Sequence, residues 1–175
     1  RKLCGRFPGQ YWRALDRERA YPKDFVNALT EAGWLSVLIP EQYGGAGLGI
    51  GAACAVLEEI HRSGANGAAC HAQMYTMGTL LRHGSDAQKE KWLPKIASGE
   101  VRLQAFGVTE PTSGTDTTRI QTFAKKVGDK YVVNGSKIWI SRAEHSDLMI
   151  LLCRTSQRGE AGKASDGMSV LLVDM

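Results

Sequence analysis

The densest set of groups able to grip a ligand lies in FGVTEPTSGTD, residues 106 to 116. Phe106 and Val108 open it as strand-competent apolar residues, and Pro111 and Gly114 then break the run. The hydroxyls of Thr109, Thr112, Ser113 and Thr115 therefore fall in or beside a tight polar bend. Free amides, several hydroxyls and a glycine that permits close approach hold a phosphate without any lysine. Further along, KIWIS at 137 to 141 sets the Trp139 indole, Ile140 and the Ser141 hydroxyl at the end of a second extended run. A flat, phosphorylated cofactor needs both kinds of contact, a cradle for its tail and an aromatic wall with a donor for its ring. Each segment taken singly has a plainer reading, in which Trp139 is a barrel-core aromatic and the hydroxyls cap turns.

The elements that must position these segments change character along the chain. Pro8 and Pro22 bracket one helix, and PKDFVNALTEAG forms the next, with a proline at its start and Gly33 at its end. Phe25, Val26, Leu29 and Ala32 share a face that reads as core, and the aromatics of the opening segment stand isolated among basic residues. Residues 51 to 63 form a helix in which Glu58 faces Arg62. Residues 68 to 83 form another, lined with small and adaptable side chains. Ser85 with Gln88 opens a last helix, which contains Pro94 and ends at Gly99. From Val101 onward β-branched and period-two runs take over. YVVNGSKIWIS reads as a hairpin turning at Asn134-Gly135, and LMILLCRT and MSVLLVDM as further strands. The expected class is α+β, an amino-terminal all-α bundle over residues 1–102 followed by a partial antiparallel β-barrel over 103–175.

Charge and composition narrow the function classes. The 22 basic and 18 acidic residues give +4 without a block of like charge beyond Lys125-Lys126, which argues against a nucleic-acid groove. No apolar run approaches a membrane span. Cys4, Cys54, Cys70 and Cys153 are widely spaced and read as reduced thiols of a cytoplasmic or organellar-matrix protein. GLGIGA at 47 to 52 fits the glycine pattern of a dinucleotide turn. The preceding apolar run is short and stopped by Pro40, and no acid stands at 67 to 73, so the nicotinamide reading is set aside. No metal site is read.

The bend and the tryptophan segment together resemble the flavin-binding signature of the acyl-CoA dehydrogenases. IPEQYGGAGLG at 39 to 49, Leu57-Glu58-Glu59-Ile60 and DAQKEKWLPKIASGE at 86 to 100 resemble that family's amino-terminal helical domain in the same order. The resemblance implies FAD as cofactor, an acyl-CoA substrate oxidised between its α and β carbons, an electron-transfer flavoprotein as acceptor, and a homo-oligomer, dimer or tetramer, in fatty acid metabolism. It implies that Ser141 donates to the flavin's reactive nitrogen and that Trp139, flanked by Ile140, packs on the ring. Thr109 and the backbone around Val108 would bond the pyrimidine edge, beside Phe106 where the family often has tyrosine. Gly114 and Thr115 would serve the pyrophosphate, Thr115 alternatively the pantetheine arm, and Gly67, His71 and Met74 would lie near the acyl tail. Thr115 stands where serine is usual, and Thr112 and Ser113 where small or acidic residues are common. The family's catalytic glutamate would lie beyond Met175, so the chain is expected to be a fragment that is silent by itself. Its compartment would be the cytoplasm, or the mitochondrial matrix in a eukaryote. Two alternatives stay open: a non-catalytic ligand- or partner-binding module, and an acyl-CoA oxidase or flavin monooxygenase on the same fold.

Overall fold

The computed structural model describes residues 1–160 and 162–175. The chain divides into two compact units, Arg1–Gln104 and Ala105–Met175.

The first unit contains helices α1 (Gly9–Glu18), α2 (Lys23–Glu31), α3 (Ile50–Arg62), α4 (Ala68–His83) and α5 (Asp86–Ser98). Local chemistry sets their ends. Ser85 Oγ accepts the Gln88 amide at 3.2 Å while Gln88 Oε1 accepts the Ser85 amide at 2.9 Å, satisfying two of the donors that every helix start leaves open. α5 runs on through Pro94 and stops at left-handed Gly99. Glu58 and Arg62 pair across one turn of α3 at 3.6 Å.

Phe25, Val26 and Leu29 are buried as their spacing requires. Ala32 is exposed, against expectation, because α2 ends at Glu31 and the backbone turns away at Gly33; Ala28 is buried instead. The opening aromatics are not isolated either. Phe7, Tyr11, Trp12 and Phe25 stack edge to face with ring centroids 4.8 to 5.1 Å apart, an arrangement that adds roughly 0.5–1.5 kcal/mol per pair beyond burial. The glycine-rich stretch is no dinucleotide turn. It folds back on the preceding residues through Leu48 N–H to Val37 O and Gly47 N–H to Ile39 O, both at 2.8 Å.

The second unit is built on a five-stranded sheet, with β1 (Leu103–Gly107) crossing the division between the units, followed by β2 (Phe123–Val127), β3 (Lys130–Asn134), β4 (Leu148–Arg154) and β5 (Met168–Asp174). The order is β1-β4-β2-β3, with β5 also on β4. β2–β3 and β4–β5 are antiparallel, as expected, and one parallel contact, Phe123 opposite Arg154, makes the sheet mixed. Arg154 is 3% exposed and donates to the carbonyls of Thr118, Ile120, Ala164 and Asp166, so one guanidinium fixes two loops at the end of β4.

The hairpin falls elsewhere than the Asn134-Gly135 pair predicts. Val127 opposes Lys130 across Gly128-Asp129, with Gly128 at φ 62° supplying the positive dihedral that a tight turn needs. Residues 135 to 140 carry no strand. Gly135 is there for close approach, since a Cβ would come within 2.7 Å of the Thr122 backbone. Among the described residues no helix is long and apolar enough to cross a membrane, and all four cysteines are free.

Candidate functional site

In the second unit the chain leaves β1 at Gly107 and enters the polar bend. Glu110 and Ser113 exchange backbone hydrogen bonds at 2.9 and 3.2 Å, so Pro111 and Thr112 form the tip of a tight turn. The Ser113 hydroxyl is spent on Asp116 O at 2.6 Å, and Asp116 accepts from both the amide and the hydroxyl of Thr118. That much agrees with the capping view of the loop hydroxyls. Thr112 and Thr115 remain exposed, and the space a Cβ would occupy on Gly114 is empty to 4 Å.

The structure joins this bend to KIWIS. Ile138 N–H donates to Thr109 O at 2.9 Å. Lys137 Nζ reaches Val108 O at 2.9 Å and Glu110 Oε1 at 2.8 Å. Glu110 also accepts the amides of Gln121 at 2.6 Å and Thr122 at 2.9 Å. The two charged side chains are 8% and 3% exposed, which makes this a buried ion pair. Burial by itself pushes the Glu110 carboxyl up; the Lys137 ammonium and the two amides more than reverse that and hold it at about 2.

Within this unit the structure therefore brings Val108, Thr109, Trp139, Ile140 and Ser141 into two adjoining segments, with Phe106 half-buried on β1 and Gly114 and Thr115 on the far side of the bend. Trp139 is 85% exposed and sits at φ 61°. It is no core aromatic, and its left-handed backbone is unusual for a large side chain. Ser141 is exposed in the turn that follows. His71 and Met74 belong to the helical unit: His71 is exposed on α4 with its ring 5.1 Å from that of Tyr75, and Met74 is buried at 5% exposure. The pairing of Glu110 with Lys137 escaped the sequence reading, in which Glu110 belonged only to the turn. Neither residue carries a local signal for the other; the one hint is that Glu110 and Lys137 are charges set among apolar and hydroxyl-bearing neighbours, in VTEPTSG and KIWIS.

A flavin dinucleotide suits this donor set. Among the described residues the Thr109 amide has no acceptor, the Trp139 ring lies open, the Ser141 hydroxyl is accessible, and the buried acid of the bend, Glu110, is paired with Lys137. No cluster of three or more His, Cys, Asp or Glu among those residues is placed to hold a metal ion.

Comparison with known proteins gives the class of this helical unit and the mixed sheet that follows it. The acyl-CoA dehydrogenase amino-terminal domain matches residues 1–100 and the middle domain residues 105–175. The chain belongs to the acyl-CoA dehydrogenase family. It is 36% identical over 165 residues to glutaryl-CoA dehydrogenase of Desulfococcus multivorans, covering 91% of this chain and 41% of that protein. It is 36% identical over 165 residues to the mitochondrial isovaleryl-CoA dehydrogenase of Pongo abelii, covering 91% and 38%. Among solved structures, the acyl-CoA dehydrogenase of Geobacillus kaustophilus superposes with a TM-score of 0.89 at 28% identity, over 99% of this chain and 45% of that one. The chain thus spans about two-fifths of the length of the curated relatives it matches.

Proposed function

We propose that the chain is the FAD-binding portion of a flavin-dependent acyl-CoA dehydrogenase, acting on an acyl-CoA thioester between its α and β carbons and passing electrons to an electron-transfer flavoprotein. The observation that carries this is the hydrogen bond from Ile138 to Thr109, with Lys137 beside it: the bend and the tryptophan segment adjoin, as a single flavin site requires. Bound FAD would supply the acceptor for the β-hydride, which no amino-acid side chain provides.

This chain's residues bind and orient. The Thr109 amide and hydroxyl and the Val108 backbone meet the pyrimidine edge, with Phe106 beside them. The Trp139 ring, with Ile140 next to it, covers the isoalloxazine, and Ser141 donates to its reactive nitrogen. Gly114 leaves room for the pyrophosphate, and Thr115 bonds it or the pantetheine arm. His71 and Met74 on α4 are assigned to the acyl tail. No residue of the chain is assigned as the base; the family pattern places it in a carboxyl-terminal helical domain. The intact protein is assigned as a dimer or tetramer of the cytoplasm, or of the mitochondrial matrix in a eukaryote, serving fatty acid metabolism. The relatives carry glutaryl and isovaleryl names, so the reading extends to acyl-CoA as a class.

The test is direct. The intact protein should purify yellow and bleach when an acyl-CoA is added without oxygen. A colourless protein that gains no flavin on reconstitution would favour the binding module, and turnover with oxygen alone would favour the oxidase.

A further inference from the structure

We propose that Glu110 and Lys137 are positioning residues of the flavin site, an inference that rests on the flavin reading above. Lys137 makes two bonds, and the one to Val108 O has a geometric consequence. A trans peptide keeps its C=O and the next N–H in one plane, pointing to opposite sides of the C–N bond, and no cis peptide occurs among the described residues. By drawing the Val108 carbonyl toward itself, the ammonium turns the Thr109 N–H the other way. That is the amide left without an acceptor among the described residues. The same ammonium is fixed by Glu110, whose carboxylate is in turn seated on the Gln121 and Thr122 amides just before β2.

The chain of constraint runs from the start of β2 through Glu110 and Lys137 to the Thr109 amide on one side and to Ile138 and Trp139 on the other. Apart from this pair, the backbone bond from Ile138 to Thr109 ties the segments together at one point. One hydrogen bond leaves a pivot; the ion pair removes it. The pair also keeps a carboxylate inside the bend from presenting negative charge to an electron-rich ring and a pyrophosphate.

The experiment uses the intact protein stripped of flavin, with FAD affinity, the visible spectrum of the bound flavin, and thermal unfolding of the apo-protein read together for Lys137→Met, Glu110→Gln and Lys137→Arg. Losing a charge-assisted bond that aims the site should weaken FAD binding by about 10- to 100-fold in Lys137→Met. It should also shift the flavin absorption band, because the ring loses its fixed donor. Lys137→Arg keeps the charge and should recover most of the affinity, less than all of it because the guanidinium fork differs in shape. Glu110→Gln keeps the side-chain volume and serves where Lys137→Met does not fold. It should weaken FAD binding in the same direction, with an apo-protein unfolding transition still present. Wild-type affinity and an unshifted band in folded Glu110→Gln or Lys137→Met would overturn the inference while leaving the flavin reading intact. A wild-type protein that binds no FAD would overturn the flavin reading itself.

Discussion

Protonating Glu110 perturbs one buried ion pair, and its consequence for stability follows from the structure. A carboxyl held at about 2 in the folded protein against an ordinary 4.5 corresponds to about 3 kcal/mol of stability, at about 1.4 kcal/mol for each tenfold change in proton affinity. Because the folded value is the lower one, this stability is fully present above about pH 4.5 and is lost as pH falls toward 2. Its carboxylate is 3% exposed, so solvent screening removes little of it. The assay is urea unfolding of wild type and Glu110→Gln, followed by circular dichroism at a series of pH values from 7 down to 2.5. Other carboxylates titrate in both proteins, so the informative quantity is the gap between the two curves. That gap should stand at about 3 kcal/mol near neutrality and shrink below 1 kcal/mol at the acid end. Raising the salt concentration at pH 7 should change it little, since the pair lies out of reach of mobile ions. Parallel curves with a constant gap would show that the ion pair does not hold the carboxyl down, and the reasoning would fail.

In the helical unit, Phe25 is fully buried and meets two aromatic rings edge to face. Phe25→Ala should cost about 3–5 kcal/mol of unfolding free energy by denaturant titration, and a loss below 1 kcal/mol would mean that the cluster repacks freely. In the intact enzyme, Ser141→Ala should slow flavin reduction by acyl-CoA by roughly 1.5 to 3 kcal/mol of barrier, measured by stopped-flow bleaching, with no change in circular dichroism. An unchanged reduction rate would remove Ser141 from the hydrogen-bonding role given to it.

What the sequence made legible follows from the range of the interactions. α5 could be read because its start is specified by two residues three apart, Ser85 and Gln88, and its end by one glycine. β4 and β5 could be read because LMILLC and VLLV are continuous apolar runs. The hairpin was misplaced because two glycine-bearing pairs compete for the turn, and only tertiary packing decides between them. Gly128 supplies a dihedral, whereas Gly135 supplies clearance over Thr122. The opening aromatics looked isolated because Phe25, the ring they gather around, comes from the next helix. The pair at the heart of the candidate site was illegible for the same reason: 27 residues separate Glu110 from Lys137, and no local periodicity links them.

The exposure of Trp139 carries one more consequence. An indole standing 85% in water emits further toward the red end of the tryptophan range than Trp34, at 45% exposure, or Trp12, tucked against Phe7 and Phe25. The protein thus contains its own optical probe at the spot where a yellow chromophore would rest. Quenching of that red component on titration with riboflavin derivatives would time the arrival of the ring without any added label.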